Sequence, residues 1–193
     1  MVFQKLRLSR ANEVCRRLVT YLVVIGMAMP AAFVQASPTG AQVTAGAVSV
    51  SQSGTTTTVT QSSQNLSLNW QTFNIAAQEA VNFVQPSASS VAVNHISDTN
   101  GTQIIGQLNA NGQVFLINPN GILFGQGAQV NVGGLVASTL GFNDANLNDS
   151  ARIFSGNGAG SITNQGNINA AKGGYVALLA NTVSNRGAIT APQ

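Results

Sequence analysis

The chain has 193 residues, of which 44% are hydrophobic and only 7% charged, with 20 glycines and a single cysteine, a length that holds one domain rather than two. Its net charge of +3 is unevenly placed: residues 1–36 carry Lys5, Arg7, Arg10, Arg16 and Arg17 against Glu13. Residues 37–193 carry Arg152, Lys172 and Arg186 against Glu79, Asp98, Asp144 and Asp149, a slight excess of acid. The pI of 9.6 therefore belongs to the N-terminal segment, and a nucleic-acid partner is excluded for the rest.

That segment has the order of a secretory leader. A basic stretch ends at Arg17, an apolar stretch runs from Leu18 to Met29, and Pro30 breaks it before the small-residue pattern Val34-Gln35-Ala36. Cleavage is expected between Ala36 and Ser37, dividing the chain into a signal peptide, 1–36, and a mature part, 37–193. An uncleaved membrane anchor is the alternative, but Leu18–Val34 is near the shortest bilayer span of ~17 residues and Pro30 interrupts it. Cys15 would leave with the leader. The mature part then has no thiol and no disulfide, which suits an oxidising destination.

The mature part contains 20 Asn and 19 Gly, a composition that disfavours helix interiors. Low charge and recurrent apolar alternation argue against disorder. In chain order, Val48 and Val50 alternate with serines, and Leu66, Leu68 and Trp70 alternate with polar residues. Val81-Phe83, Val91-Val93 and Val130-Val132 keep the same period, so each reads as a short strand with one buried face. The Trp70-to-Phe73 spacing breaks the period and predicts a bulge or corner. Two Asn-x-Asn-Gly turns, at Asn109–Gly112 and Asn118–Gly121, bracket the apolar run Val114–Ile117. In the second, Asn118, Pro119 and Gly121 occupy positions that a type I turn favours. Segment 141–151 interrupts the pattern and reads as an excursion loop.

Internal repetition decides between β architectures. Ile162–Ala170 realigns with Val183–Ala191 at an offset of 21, and Gly133–Ala137 realigns with Gly173–Ala177 at an offset of 40, near two such periods. A period of this size marks a solenoid in which each repeat is one coil. About seven coils are expected, with Ile162, Ile168, Val183 and Ile189 pointing inward and Asn164 stacked over Asn185 as part of a hydrogen-bonded ladder. The open first edge needs a cap, expected at Val48–Gln61 with Trp70–Phe73. Core packing is the reading for Trp70, Phe115, Phe124, Phe142, Phe154 and Tyr175.

Candidate chemistry is sparse. His95 is the sole histidine, and with Asp98 near it reads as a partly buried polar residue at a strand end. Polysaccharide lyases of β-helical form need clustered carboxylates and a basic proton acceptor, which scattered acids do not supply. Asp144-x-Asn146-x-Asn148 lacks the glycine and glutamate of a calcium loop, since Asp149 and Ser155 stand there. Gly156–Gly160 lacks the Asp of a calcium-binding nonapeptide, and Lys172-Gly173-Gly174 lacks phosphate-loop spacing. No catalytic, cofactor or metal residue is assigned, and the chain is not expected to be an enzyme.

The block from Asn118-Pro119-Asn120-Gly121 through Gln129–Thr139, with flanking Leu68–Ile75 and Gly173–Leu179, resembles the N-terminal two-partner secretion domain of filamentous haemagglutinin-type exoproteins, the haemagglutination activity domain. The resemblance implies an all-β fold, a right-handed parallel β-helix with N-terminal capping strands, over residues 37–193. It implies passage through the inner-membrane secretory machinery and the periplasm, then recognition of the unfolded chain by an outer-membrane β-barrel transporter. The product is secreted or held at the cell surface as an adhesin, haemagglutinin or contact-dependent growth-inhibition toxin, meeting a host or neighbouring cell through a downstream passenger. Asn118, Pro119, Asn120 and Gly121 are then either a transporter-recognition element or a turn that sets strand register. The chain stops at Ala191-Pro192-Gln193 in mid-solenoid, so a truncated C-terminal end is expected. The alternative function is a self-sufficient carbohydrate-binding or adhesive solenoid with exposed aromatics lining a groove.

Overall fold

Short strands separated by Gly and Asn turns stack here in three parallel sheets. The computed structural model describes residues 36–149 and 151–193; apart from Ala36, the expected leader lies outside them. The first sheet runs through Gln42–Ala45, Asn65–Trp70, Val91–Ile96, Gln113–Ile117, Gly134–Ser138 and Val176–Leu179. The second runs through Val48–Ser53, Thr56–Gln61, Ala80–Val84, Gln107–Ala110, Gln129–Val132, Asn167–Ala170 and Ala188–Thr190. The third holds Thr102–Ile104, Ile122–Phe124, Ser161–Asn164 and Thr182–Asn185. Each sheet strand lies over its counterpart from the coil before, so the chain is a parallel β-helix.

Only the first strand of each of the two larger sheets runs antiparallel: Gln42–Ala45 against Asn65–Trp70, and Val48–Ser53 against Thr56–Gln61. These two strands are the N-terminal cap. It begins earlier than the Ser/Thr-rich segment alone predicts, and Trp70 and Phe73 lie inside the first coil rather than in the cap. Their rings meet edge to face at 5.3 Å around the expected corner. Six coils follow, not seven, because residues 39–53 form the cap and 141–158 leave the solenoid.

Alternation sends every second side chain into the solenoid, where stacking turns single residues into columns. Leu66, Ala92, Val114, Leu135 and Val176 form one column; Val81, Leu108, Val130, Ile168 and Ile189 form another. Ile162 pairs with Val183 and Ile168 with Ile189, as the 21-residue repeat predicts. The 40-residue repeat behaves differently. Leu135 pairs with Val176, not Tyr175, so the register is one residue longer than the sequence alignment, and it joins neighbouring coils rather than coils two apart. A one-residue slip exchanges the two faces of a strand. Tyr175 accordingly faces out, 40% exposed, and its hydroxyl donates to Gln113 Oε1 at 2.7 Å.

Polar columns form as well. Asn164 Nδ2 donates to Asn185 Oδ1 at 2.9 Å, as expected. On the outer face of the second sheet, Asn109, Asn131 and Asn169 each donate to the Asn of an adjoining coil, at 2.9, 3.2 and 3.1 Å, making a four-residue ladder that starts at Asn82. Within the core, Trp70 Nε1 donates to Asn94 Oδ1 at 2.9 Å, and Asn94 Nδ2 donates to Ala92 O and Phe115 O.

The excursion is more than a loop. Gly141–Phe142 pairs antiparallel with Phe154–Ser155, and a short 3-10 turn at Asp144–Asn146 is capped by Asn143, whose side chain accepts from Ala145 N–H. Its apolar side chains, Phe142, Leu147 and Phe154, cover the outer face of the first sheet at Val91, Val93, Phe115, Ile117 and Val136. Phe115 and Phe142 meet edge to face at 6.0 Å. The core reading thus holds for Phe115 and Phe142, buried in a second core cluster outside the coils with Phe154 packed against it, and is corrected for Tyr175, which faces out. Runs such as Val114–Ile117 are apolar on both faces because both are covered.

Asp144 fastens this cover. Its carboxylate accepts from Thr44 Oγ1 of the cap at 3.1 Å and Ser67 Oγ of the first coil at 2.6 Å, and meets His95 Nε2 of the second coil at 2.8 Å. Burial raises the Asp144 carboxyl, but the Ser67 and His95 hydrogen bonds, the His95 charge and the Thr44 hydroxyl outweigh it and leave the group below its ordinary value.

Two outcomes are expected from this packing. Leu108→Ala should cost about 2–5 kcal/mol in denaturant unfolding, whereas Asn109→Ala, one residue on and facing out, should cost only about 1–2 kcal/mol for its two ladder bonds; equal costs would contradict the alternation. Because the folded Asp144 titrates below its unfolded value of about 3.9, its contribution is complete above that pH and is lost as pH falls through the folded value. Asp144→Asn should therefore destabilise at neutral pH and flatten the acid limb of a stability profile below about pH 4.

Candidate functional site

The Asn118–Gly121 turn joins the first sheet to the third, between Gln113–Ile117 and Ile122–Phe124. Apolar residues precede and follow it, so a sharp turn is required, and its residues close one. Gly121 N–H donates to Asn118 O at 3.0 Å, and Asn120 N–H donates to Asn118 Oδ1 at 2.9 Å. Pro119 fits the turn with its fixed φ and missing N–H. Gly121 has φ +109, a conformation that L side chains rarely adopt, and a Cβ there would meet Ser161 O at 2.8 Å.

The turn is stitched to the coils on both sides. Thr102 N–H donates to Gly121 O, Gly160 N–H donates to Pro119 O, and Asn118 N–H donates to Ser138 O, each at 3.0 Å. Glycines flank it in both directions: a Cβ on Gly160 would lie 2.2 Å from Gly121 N, and one on Gly101 would lie 3.1 Å from Asn120 O. The excursion leaves the solenoid at this same corner one coil later, between Ser138 and Ser161. Sequence spacing did not reveal that relation, although the long interval between the two Gly-Gly segments carries it.

The two asparagines differ. Asn118 is fully buried, and its Nδ2 donates to Asn100 O at 3.1 Å and Thr102 Oγ1 at 3.0 Å. Every polar atom of that side chain has a partner within the fold. Asn120 is exposed and donates from Nδ2 to Asp98 O at 2.8 Å. A partner meeting the folded domain could touch Pro119 and Asn120; it could reach the Asn118 side chain only before folding.

Other singled-out residues are drawn into structural contacts. His95 Nε2 meets Asp144 Oδ1 at 2.8 Å, not Asp98, and no other contact of a basic side chain with a carboxylate occurs among the described residues. Asp98 instead accepts from Asn100 N–H at 2.9 Å. Asn146 and Asn148 belong to the excursion, where Asn148 Oδ1 accepts from Asn65 Nδ2 at 2.8 Å. Burial raises the Tyr175 phenol, with the Arg152 charge opposing it. Tyr175 is also the one aromatic among the described residues with a large exposed surface. Ala36 and Ser37 lie beside the first coil, both within hydrogen-bond reach of Glu79.

Comparison with known proteins agrees with this geometry. A family model described as the TPS secretion domain matches residues 34–193. The fold is similar to the crystal structure of the HMW1 secretion domain from Haemophilus influenzae, with a TM-score of 0.74 and 35% identity over 79% of this chain and 42% of that one. Among sequences, a heme/hemopexin-binding protein of Haemophilus influenzae (strain ATCC 51907 / DSM 11121 / KW20 / Rd) is 43% identical over 102 residues, 53% of this chain and 11% of the relative. A second Haemophilus influenzae heme/hemopexin-binding protein is 44% identical over 82 residues, 42% of this chain and 9% of the relative. The chain thus matches about a tenth of the length of these relatives. Its coils, cap and matched residues together place it in the family of two-partner secretion domains, the part of an exoprotein that targets it for secretion.

Proposed function

We propose that residues 37–193 act as the export address of a longer exoprotein, read by an outer-membrane β-barrel while the chain is still extended, and that the solenoid forms after passage. The observation that carries this reading is the complete burial of Asn118 inside a motif on which the family resemblance rests. If this side chain is read by the transporter, it is read before folding. The route begins with leader removal between Ala36 and Ser37 and transit of the inner membrane through the secretory machinery to the periplasm. It ends with release or retention at the cell surface. Adhesion, haemagglutination or contact-dependent growth inhibition would reside in a downstream passenger that meets a host or neighbouring cell.

The chain's own role is non-catalytic in this reading. Its single histidine is tied to Asp144 in holding the excursion, and its single cysteine lies in the leader segment. The same scarcity of ligands argues against moving the heme/hemopexin binding named for its relatives onto these residues; export is the shared property of the common stretch. Tyr175, the one exposed aromatic among the described residues, likewise gives little support to a carbohydrate-binding groove.

Turn function and turn stability separate by experiment. Asn118→Ala orphans buried partners and should cost about 1–3 kcal/mol, and Gly121→Ala should cost about 1–3 kcal/mol through its positive φ. Asn120→Ala removes an exposed bond and should cost less than about 1 kcal/mol. Each variant is co-expressed with the partner barrel, and secreted amount is compared with melting temperature. Greater loss of secretion for Asn118→Ala than for an equally destabilised Gly121→Ala supports reading of the side chain. Secretion that follows stability alone in all three leaves the motif as a register turn.

A further inference from the structure

Where the first coil passes into the second lies a buried carboxylate outside the columns and the Asn118–Gly121 turn. Glu79 is 4% exposed and ends the turn that begins at Ala76, just before Ala80–Val84. Its Oε2 accepts from Ala76 N–H at 2.9 Å. Its Oε1 accepts from Ala36 N–H and from the Ser37 hydroxyl, both at 3.0 Å, and that hydroxyl accepts in turn from Gln52 Nε2 of the cap at 3.1 Å. Among the described residues no Lys, Arg or His pairs with it. A buried carboxylate held by neutral donors alone carries an uncompensated desolvation cost. The chain just beyond Ser37 is fixed in place, since Thr39 N–H donates to Thr72 O at 3.0 Å and Gln71 N–H donates to Thr39 O at 2.9 Å.

We propose that Glu79 is the receptor for the α-ammonium that leader removal creates at Ser37. The inference rests on the expected cleavage between Ala36 and Ser37. Hydrolysis breaks that peptide C–N bond and consumes one water; the carboxylate departs on Ala36, and the freed Ser37 amine takes up a proton. The Ala36 amide leaves Oε1 with the leader. The new ammonium sits on the Cα of the same residue whose hydroxyl, one carbon further out, already bonds to Oε1, so rotation of that residue brings it onto the carboxylate. A neutral donor is replaced by a charged one, and charge-assisted hydrogen bonds are roughly twice as strong as neutral ones. Processing thereby supplies the counterion that Glu79 lacks and tightens the cap on the first coil. Coil closure at this end becomes coupled to leader removal.

The test uses the full chain exported with its leader, and Glu79→Gln made the same way. Mass spectrometry reads the N-terminus, and the pH dependence of amine acylation reads the α-amine, with Lys172 as the other reactive amine of the mature part. An unperturbed α-amine titrates at about 7.7–8.0. In the folded wild type it should titrate about one unit higher, returning to the ordinary range in Glu79→Gln and in wild type unfolded by urea. The urea comparison decides the matter even if the variant fails to fold. A Ser37 terminus whose amine titrates alike in folded and unfolded wild type overturns the ammonium receptor and leaves the cleavage reading intact. A terminus elsewhere overturns both.

Discussion

Everything in this fold depends on one coil lying in register on the next. Parallel strands stack at about 4.8 Å, so each side chain sits directly over its counterpart and each column must tolerate itself. Aliphatic residues satisfy this inside, and asparagines satisfy it outside by donating to one another from Asn169 down to Asn82. At one corner, Gly112, Gly133 and Gly174 lie above one another. A Cβ on Gly133 would sit 2.6 Å from Gly112 O, and one on Gly174 would sit 2.0 Å from Gly133 O. The glycine and asparagine richness of the chain is therefore a consequence of stacking and not of disorder.

Stacking also sets the chain's two additional needs. An open first coil presents unpaired strand edges, and the antiparallel strands Gln42–Ala45 and Val48–Ser53 cover them. The outer face of the first sheet is apolar, and Phe142, Leu147 and Phe154 cover it. Asp144 unites these two devices, because one carboxylate holds the cap through Thr44, the first coil through Ser67 and the second coil through His95. An excursion that leaves the solenoid between Ser138 and Ser161 thus fastens its opposite end.

The sequence disclosed the architecture wherever the repeat was uninterrupted. Asn164 over Asn185 and Ile168 over Ile189 follow from matched segments with nothing inserted between them. It failed where an insertion intervened. The Gly-Gly segments at 133 and 173 align by residue type, yet tertiary packing pairs Leu135 with Val176 and turns Tyr175 outward. The partnership of His95 with Asp144 was equally hidden, since no local spacing brings a strand residue to an excursion that folds back across three strands. The turn at Asn118–Gly121 was readable as a turn, but the burial of Asn118 depends on Asn100 and Thr102 one coil away.

The residues that resemble an export address are the same ones that close a corner of the stack. In the extended chain, Asn118 offers a free amide; in the solenoid it has none to offer. On the proposed reading, fold and address share the motif by using it at different times. The central claim is that this motif is a fully integrated part of the stack, and native-state amide hydrogen exchange tests it most directly. Asn118 N–H and Gly121 N–H, bonded to Ser138 O and Asn118 O, should exchange as slowly as the amides of Val114–Ile117. Exchange of these two amides at the rate of an exposed loop, with the neighbouring strands still protected, would contradict the account.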